Sequence, residues 1–233
     1  MIDPRLLDTA LHFRDDLFRN IVSLRQAQAL YDDLSDDAQA GAVFARLEMD
    51  SKPRLPSPTL NRPFEPGYGV AIAFPFAPAR WSATRFSDGT FGAWYGSTAL
   101  ETTVRETVFH ARQQLLVDPG FVDTEPTVIF ERRVYQVACD ALLFDLRGKV
   151  GQWPALVAPD SYAFTQEVGR AVAGGGHPGL LTRSARCAGD NAVVFDARYL
   201  SNARDYCYLR YRFEAGDPAC HVERVVGEEW LRV

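Results

Sequence analysis

Three side chains with complementary chemistry lie close together in the middle of the chain. Arg85 is followed ten residues later by Tyr95, and Glu106 comes eleven residues after that. A guanidinium binds phosphate oxygens in pairs, and an aromatic ring stacks on a flat heterocycle. A carboxylate stabilises the positive charge that develops on a sugar carbon when its bond to a leaving group stretches. The trio therefore suits nucleotide chemistry, although a surface ion pair and a core tyrosine would explain the same residue types.

The elements around the trio are predicted to bring these side chains together. A short strand ends at the aromatic pair 94–95, and apolar residues at helical spacing predict a helix over residues 98–114. Ser97 or Thr98 is the expected cap of this helix. Glu106 would lie on the helix, so one strand end and one helix would carry the tyrosine and the carboxylate.

The first 60 residues differ in pattern from the rest of the chain. Residues 5–50 space their apolar residues as amphipathic helices do, which predicts a helical hairpin or three-helix segment. Residues 51–67 contain five prolines, which interrupt helices and mark a linker. We therefore divide the chain into an N-terminal helical extension with its proline-rich linker, residues 1–60, and a catalytic domain, residues 61–233.

Beyond the linker, short strand patterns alternate irregularly with helices. A second helix is expected over residues 161–173, with Ser161 as its cap. Strands are predicted over residues 69–76, 127–138, 141–146, 191–196, 207–213 and 221–225. This irregular order predicts the α+β class rather than a repeated βαβ unit.

The composition excludes several classes of function. The net charge of −5 and the pI of about 5.4 lack the basic surface of a nucleic-acid-binding protein. No secretory leader is recognised, and no apolar run approaches the roughly 18 residues of a membrane span, so we expect a cytoplasmic protein without membrane contact. The cysteines lack metal-ligand spacing, which predicts reduced thiols and no metal site; they are Cys139, Cys187, Cys207 and Cys220.

The segment around Arg85 resembles the RES domain family, which is named for its Arg, Glu and Ser residues. The spacing of Arg85, Tyr95 and Glu106 matches the family pattern, and Ser184 matches the family serine within GLLTRSARCAGDNAVVF. The resemblance extends over roughly residues 68–215. Members often have two glycines before the arginine and a tryptophan after it, whereas this chain has Ala-Thr and Phe there.

The resemblance implies both a fold and an activity. RES proteins look like reduced ADP-ribosyltransferases of the diphtheria-toxin type, with small mixed or antiparallel sheets and flanking helices. Members deplete NAD⁺ by cleaving the nicotinamide–ribose bond through hydrolysis or phosphorolysis, so NAD⁺ would be a substrate and no cofactor is expected. By this resemblance, Arg85 would hold the phosphates and Tyr95 would contact the nicotinamide or the ribose. Glu106 would be the essential carboxylate, and Ser184 would line the pocket or orient a neighbour.

Other residues near these motifs are weaker candidates. Trp94 and Phe86 are expected to contribute to substrate binding beside the trio. His110, Arg183 and Arg186 could tune the site or contact phosphates, but packing and solvent exposure explain them equally well.

Family members act as toxins of bacterial toxin–antitoxin pairs in which an Xre-like antitoxin blocks the pocket. The resemblance therefore implies a toxin with such an antitoxin as its partner. Two alternatives stay open: a mono-ADP-ribosyltransferase that modifies one protein, and a non-enzymatic nucleotide-binding module. The acceptor of the ADP-ribose stays open too. The N-terminal helices could form a homodimer, contact the antitoxin or cover the core.

Overall fold

A computed structural model describes residues 2–22, 68–113, 127–214 and 216–233. These residues form an eight-stranded sheet, a two-stranded sheet and two α-helices, which confirms the predicted α+β class. The strands are β1 (Ala10–Val22), β2 (Ala83–Thr84), β3 (Ser87–Asp88), β4 (Trp94–Ser97), β5 (Thr127–Asp145), β6 (Gly179–Arg183), β7 (Asp190–Val194), β8 (Leu200–Glu214), β9 (Cys220–Val225) and β10 (Glu228–Arg232). The helices are α1 (Leu100–Ala111) and α2 (Ala163–Gly174), and short 3₁₀ and π turns lie between the elements.

Strand β1 pairs with two partners, which closes part of the large sheet into a ring. The strand order is β1-β4-β7-β6-β5-β8-β9-β10, and β1 also pairs with β5. The first five strands in that order are therefore closed on themselves. Strand β8 pairs with the earlier part of β5 on the same edge as β6, opposite β1, and β9 and β10 follow β8. The β5–β6 pairing is parallel and the others are antiparallel. The sheet is mixed, as expected, but it is one large sheet rather than several small ones.

The interior of the ring is filled by residues that alternate along its strands. In β5, every second residue from Tyr135 to Leu143 is buried, as expected when successive side chains point to opposite faces. Every strand of the ring contributes to this core, which includes Leu17, Trp94, Val137, Leu181 and Val194. The strands predicted over 127–138 and 141–146 are thus parts of one continuous strand.

The two helices flank the sheet on separate apolar clusters. Helix α1 packs Val104 and Val108 against Val134 of β5 and its neighbours on β8. Helix α2 packs Val168 and Val172 into a second cluster that lies over β6 and β7. These helices match the two predicted in the catalytic domain, because both have an apolar face at helical spacing.

The helix predicted over the start of the chain is wrong for residues 10–22. They form β1, which pairs with β5 along all of its 13 residues. The apolar residues Leu11, Phe13, Leu17 and Ile21 all occupy odd positions, so they share one face of a strand and pack on the ring core. Their spacing also fits a helical stripe, and the pairing with β5 decides between the two periodicities.

Two further predictions are corrected by the structure. Residues 69–76 were expected to form a strand but lie in a π turn at Tyr68–Ala73 and a 3₁₀ turn at Phe74–Phe76, where Pro75 is unsuited to a central strand. Helices α1 and α2 begin without a side-chain cap, after Ala99 and Tyr162 respectively. The caps expected at Ser97 or Thr98 and at Ser161 are therefore wrong.

The rest of the predicted helical extension, residues 23–50, and the linker over residues 51–67 lie outside the described residues. The boundary at residue 60 stays a prediction. Neither helix in the described residues has the length and hydropathy of a membrane-spanning segment.

Candidate active site

Glu106 extends from α1 and is held by two hydrogen bonds to the same carboxylate oxygen. The Ser184 hydroxyl donates to Oε1 at 2.6 Å, and the Asn191 Nδ2 donates to Oε1 at 2.9 Å. Hydrogen bonds to a carboxylate are shorter and stronger than those between neutral groups. The side chain is therefore fixed in one orientation by the turn after β6 and by strand β7.

The two donors are themselves fixed by further hydrogen bonds. The Ser97 hydroxyl, at the end of β4, donates to Oδ1 of Asn191 at 2.7 Å. The Ser184 oxygen accepts from the backbone N–H of Arg186 at 3.0 Å and of Cys187 at 3.3 Å. These bonds set the direction of both donors, since a hydroxyl that accepts two N–H groups must point its own proton elsewhere. A chain of polar contacts thus runs from Ser97 through Asn191 to Glu106.

A glycine allows the β6–β7 turn to lie directly against α1. A Cβ atom at Gly189 would come within 1.9 Å of Oγ1 of Thr102, so a larger residue would push the turn from the helix. The same turn carries Ser184, whose N–H donates to the carbonyl of Gly189 at 2.8 Å. The close approach therefore keeps Ser184 within reach of Glu106.

Tyr95 supports the turn that carries Arg85. Its hydroxyl is hydrogen-bonded to Oγ1 of Thr84 at 2.8 Å and accepts the N–H of Phe86 at 2.9 Å. Burial raises the pKa of Tyr95 to about 12, so the phenol is neutral at physiological pH. Tyr95 lines the cavity described below, while its hydroxyl bonds the two neighbours of Arg85, the Thr84 side chain and the Phe86 backbone.

Arg85 projects from the turn between β2 and β3. Its Nη1 donates to the carbonyl of Ala158 at 2.9 Å, and its guanidinium lies 4.5 Å from the ring centroid of Tyr162. Burial lowers the pKa of Arg85, and Tyr162 and Glu106 partly oppose this effect. Arginine stays protonated in proteins, so the group supplies a fixed positive charge with donors left for an anion.

Arg85, Tyr95 and Glu106 line one cavity of about 710 Å³. This volume lies in the range of small-molecule sites, roughly 300–1,000 Å³. The three residues come from the β2–β3 turn, β4 and α1, so the structure brings together the trio that the sequence singled out. Ser184 is buried behind Glu106 and acts on the carboxylate rather than forming the cavity wall.

The other predicted site residues are placed differently. Trp94 is fully buried in the ring core and donates its Nε1 hydrogen to the carbonyl of Ala71, so it does not line the cavity. Phe86 borders the cavity, but its ring is fully buried in the cluster under α2. His110 lines the cavity, and burial lowers its pKa.

The two arginines near Ser184 have separate environments. Arg183 lines the cavity and pairs with Asp190 at 2.8 Å. Arg186 lies over the ring of Phe109 and donates to the carbonyl of Pro159 at 2.9 Å. Arg183 is therefore the one of the pair that borders the pocket.

Sequence reasoning missed Asn191 and two arginines of the cavity wall, Arg19 and Arg132. A polar residue that opens the apolar run Ala192–Phe195 was the available signal for Asn191. Arg19 was overlooked because its segment was assigned to a helix. No group of three or more metal-ligating side chains occurs in the part of the chain that the structure describes.

The fold and the cavity define an α+β protein whose pocket combines a fixed carboxylate with a half-buried arginine. The family model described as the RES domain matches residues 59–214, more than half of the chain, and the protein belongs to the RES domain family. A structure of the M. tuberculosis MbcT–MbcA toxin–antitoxin complex is similar, with 15% identity and a TM-score of 0.48; the match covers 87% of this chain and 90% of that chain. No curated protein matches the sequence.

Proposed function

We propose that this protein is a bacterial toxin that depletes NAD⁺ by cleaving the bond between nicotinamide and ribose. The observation that carries the proposal is the fixed carboxylate of Glu106. Both of its hydrogen bonds from Ser184 and Asn191 go to Oε1. Among the described residues, none donates to Oε2, and Glu106 lines the cavity. A preorganised carboxylate of this kind stabilises a charge that develops only in the transition state.

The negative charge of Glu106 acts in the bond-breaking step. The bond between C1′ and the nicotinamide nitrogen breaks, and its electron pair leaves with nicotinamide, which becomes neutral. Positive charge develops on C1′, and the carboxylate of Glu106 stabilises it, as in glycoside hydrolysis. Water or phosphate then bonds to C1′ from the pocket. With water, the products are nicotinamide, ADP-ribose and one proton.

Arg85 supplies the second requirement, a cation for the diphosphate. It lies in the same cavity as Glu106, on the turn held by Tyr95. The aromatic rings of Tyr95 and Tyr162 border this cavity, and flat rings of a dinucleotide stack well on such surfaces. The cavity therefore offers a carboxylate, a cation and aromatic surface to one ligand.

Membership of the RES domain family supports the biological role. The family resemblance implies a toxin that is held inactive by an Xre-like antitoxin, and we propose such a protein as the partner. The partner would block the cavity and keep NAD⁺ from reaching Glu106. The action would then take place in the cytoplasm.

The test compares two glutamates of the same helix. Purified protein is incubated with NAD⁺ in the presence and in the absence of phosphate, and nicotinamide is quantified by chromatography. We expect nicotinamide release by the wild type and by Glu101→Gln, because Glu101 is exposed on α1. Glu106→Gln should lose at least about 100-fold of the rate, because an electrostatic group of this kind contributes roughly 10²–10³.

The products separate the alternatives. ADP-ribose indicates water as the acceptor, and a phosphorylated ADP-ribose indicates phosphate. Label from NAD⁺ in one protein band of a lysate would indicate a mono-ADP-ribosyltransferase. NAD⁺ that is bound but stays intact under both conditions would contradict cleavage and favour a nucleotide-binding module.

A further inference from the structure

Residues 158–162 form a short segment beside the cavity, between the 3₁₀ turn Pro154–Val157 and helix α2. We call this segment the strap. It contributes three residues to the wall of the cavity: Pro159, Asp160 and Tyr162. Within the described residues, the carbonyls of Ala158 and Pro159 accept hydrogen bonds only from arginine side chains. These two carbonyls are therefore held by side chains from outside the strap rather than by a helix or a sheet.

Two arginines from different parts of the fold hold these consecutive carbonyls. Nη1 of Arg85, on the β2–β3 turn, donates to the carbonyl of Ala158 at 2.9 Å. Nη2 of Arg186, on the β6–β7 turn, donates to the carbonyl of Pro159 at 2.9 Å. Proline has no N–H, so the carbonyl is the only backbone group of Pro159 that can form a hydrogen bond. Arg186 therefore holds the backbone directly next to the group that Arg85 contacts.

The side chain of Arg186 also contacts helix α1. Its guanidinium lies 3.2 Å from the ring centroid of Phe109, which is three residues after Glu106 on the helix. A guanidinium over an aromatic ring is attracted to the ring electrostatically. Arg186 thus connects the strap to the helix that carries the carboxylate. It is not among the residues that line the cavity, so its effect on a ligand must pass through its neighbours.

The backbone of Arg186 has a separate contact. Its N–H donates to the Ser184 oxygen at 3.0 Å, and Ser184 in turn donates to Glu106. Every residue except proline has this N–H. A substitution of Arg186 therefore removes the contacts with the strap and with Phe109, and it leaves the support of the carboxylate in place.

The orientation of Arg85 depends on the strap. One of its donors is bonded to Ala158, and its guanidinium lies 4.5 Å from the ring centroid of Tyr162, so two residues of the strap contact it. A planar guanidinium held at two points keeps its remaining donors in a fixed direction. Burial lowers the pKa of Arg85, and the positive charge of Arg186 lowers it further, in keeping with the adjacent carbonyls that the two arginines hold. A shift of the strap would therefore change the direction of Arg85.

We propose that Arg186 is a positioning residue that holds the strap against the cavity and so keeps Arg85 directed at the substrate. The inference deepens the proposed function and rests on it for the nature of the substrate. Loss of the Arg186 side chain disturbs Arg85, while Glu106 keeps its hydrogen bond from Ser184. Substrate binding should therefore weaken while the bond-breaking step keeps its rate, so that KM rises and kcat is retained.

The first measurement is hydrogen–deuterium exchange of the protein without a ligand. It compares the wild type with Arg186→Gln and with Arg198→Gln as the matched control. Arg198 also lies by an aromatic ring, that of Tyr199, but it is 67% exposed and does not line the cavity. We expect the strap amides to exchange about tenfold faster in Arg186→Gln, because a hydrogen bond from a charged donor is lost, and at the wild-type rate in Arg198→Gln.

The second measurement is calorimetric titration with ADP-ribose, together with kcat and KM for nicotinamide release. Arg186→Gln should weaken ADP-ribose binding and raise KM by about tenfold, with kcat within about threefold of the wild type. Arg198→Gln should bind and react as the wild type does. Circular dichroism and thermal unfolding verify the fold of each variant.

The conservative variant Arg186→Lys provides a rescue. Lysine keeps the charge and a donor for the Pro159 carbonyl, but it lacks the planar group that lies over Phe109. We expect it to recover most of the ADP-ribose affinity and to stay weaker than the wild type by about threefold. If Arg186→Gln does not fold, this smaller loss carries the test.

The proposal is overturned if the wild type does not bind ADP-ribose, or if the control loses as much affinity as Arg186→Gln. It is also overturned if a folded Arg186→Gln protein changes only strap exchange, only ADP-ribose affinity, or neither, or if kcat falls while binding is kept. Nicotinamide release by the wild type with unchanged affinity in Arg186→Gln would leave the proposed function standing and remove the positioning role. ADP-ribose binding that depends on Arg186, without any release, would do the reverse.

Discussion

Replacing Asn191 with alanine removes one of the two hydrogen bonds that hold Glu106, and leaves the carboxylate itself in place. Asn191 donates to Oε1 of Glu106 at 2.9 Å and accepts from the Ser97 hydroxyl at 2.7 Å. A hydrogen bond to a charged group contributes about 1.5–3 kcal/mol. If the bond is needed to aim the carboxylate in the transition state, its loss slows nicotinamide release by roughly 10- to 150-fold.

Ser97 is one contact further from the carboxylate than Asn191, so its replacement should slow the reaction less. Ser97→Ala removes a bond between neutral groups, which contributes about 0.5–1.5 kcal/mol, so the expected loss is roughly 2- to 10-fold. Glu106→Gln should be slower than either variant. The three substitutions therefore rank by their distance along the chain of contacts from Ser97 to Glu106.

The assay is nicotinamide release at saturating and at limiting NAD⁺, so that kcat and KM are obtained separately. Asn191 touches the carboxylate that we propose acts in the transition state, and its loss should lower kcat with little change in KM. Thermal unfolding of each variant excludes a simple loss of fold. A folded Asn191→Ala protein with the kcat of the wild type would refute the positioning role. An equal loss in Ser97→Ala and Asn191→Ala would refute the graded chain.

Three other predictions concern the support of the site. Tyr95→Phe removes two hydrogen bonds to the β2–β3 turn, so denaturant titration should show a free energy of unfolding lower by about 1–3 kcal/mol; no change would contradict this support. Gly169→Ala places a Cβ 1.8 Å from the carbonyl oxygen of Phe86 and should cost about 1–3 kcal/mol, whereas Gly174→Ala in the same helix meets nothing within 4 Å and should cost far less. His110 has a pKa lowered from 6.5 by burial, so the unfolded chain binds its proton first as pH falls below 6.5. His110→Gln should therefore flatten the loss of unfolding free energy in that acid range, and an unchanged pH profile would contradict the burial argument.

Much of the architecture was predictable because local patterns and the final packing agree. The alternation in Thr127–Ala138 and the apolar face of Leu100–Ala111 each specify one element, and the structure has a strand and a helix there. The spacing of Arg85, Tyr95 and Glu106 was informative because the turn, the strand and the helix that carry them follow one another closely in the chain. A segment can be predicted from its sequence when its local propensity, its apolar pattern and its tertiary packing favour the same element.

The remaining errors come from contacts that only the fold creates. Leu11, Leu17 and Ile21 fit a helical stripe and a strand face equally, and pairing with β5 selects the strand. The position of Asn191 at the start of an apolar run does not give its role, because that role depends on the approach of α1 to β7. Trp94 lies beside the site in sequence, but alternation along β4 turns it into the ring core while Tyr95 faces the cavity.

Because β1 and β5 lie far apart in the sequence, the ring of strands can close only after much of the chain has been synthesised. His12 of β1 meets Asp140 of β5 across 128 residues of sequence. A ribosome that adds about 5–20 residues per second needs roughly 6–26 s to bring the second strand out after the first. During that interval β1 has no partner in β5, and the wall that carries Arg19 is absent from the pocket. Contacts of such long range form late in folding, so the cavity that holds Glu106 is completed only after β5 has emerged from the ribosome.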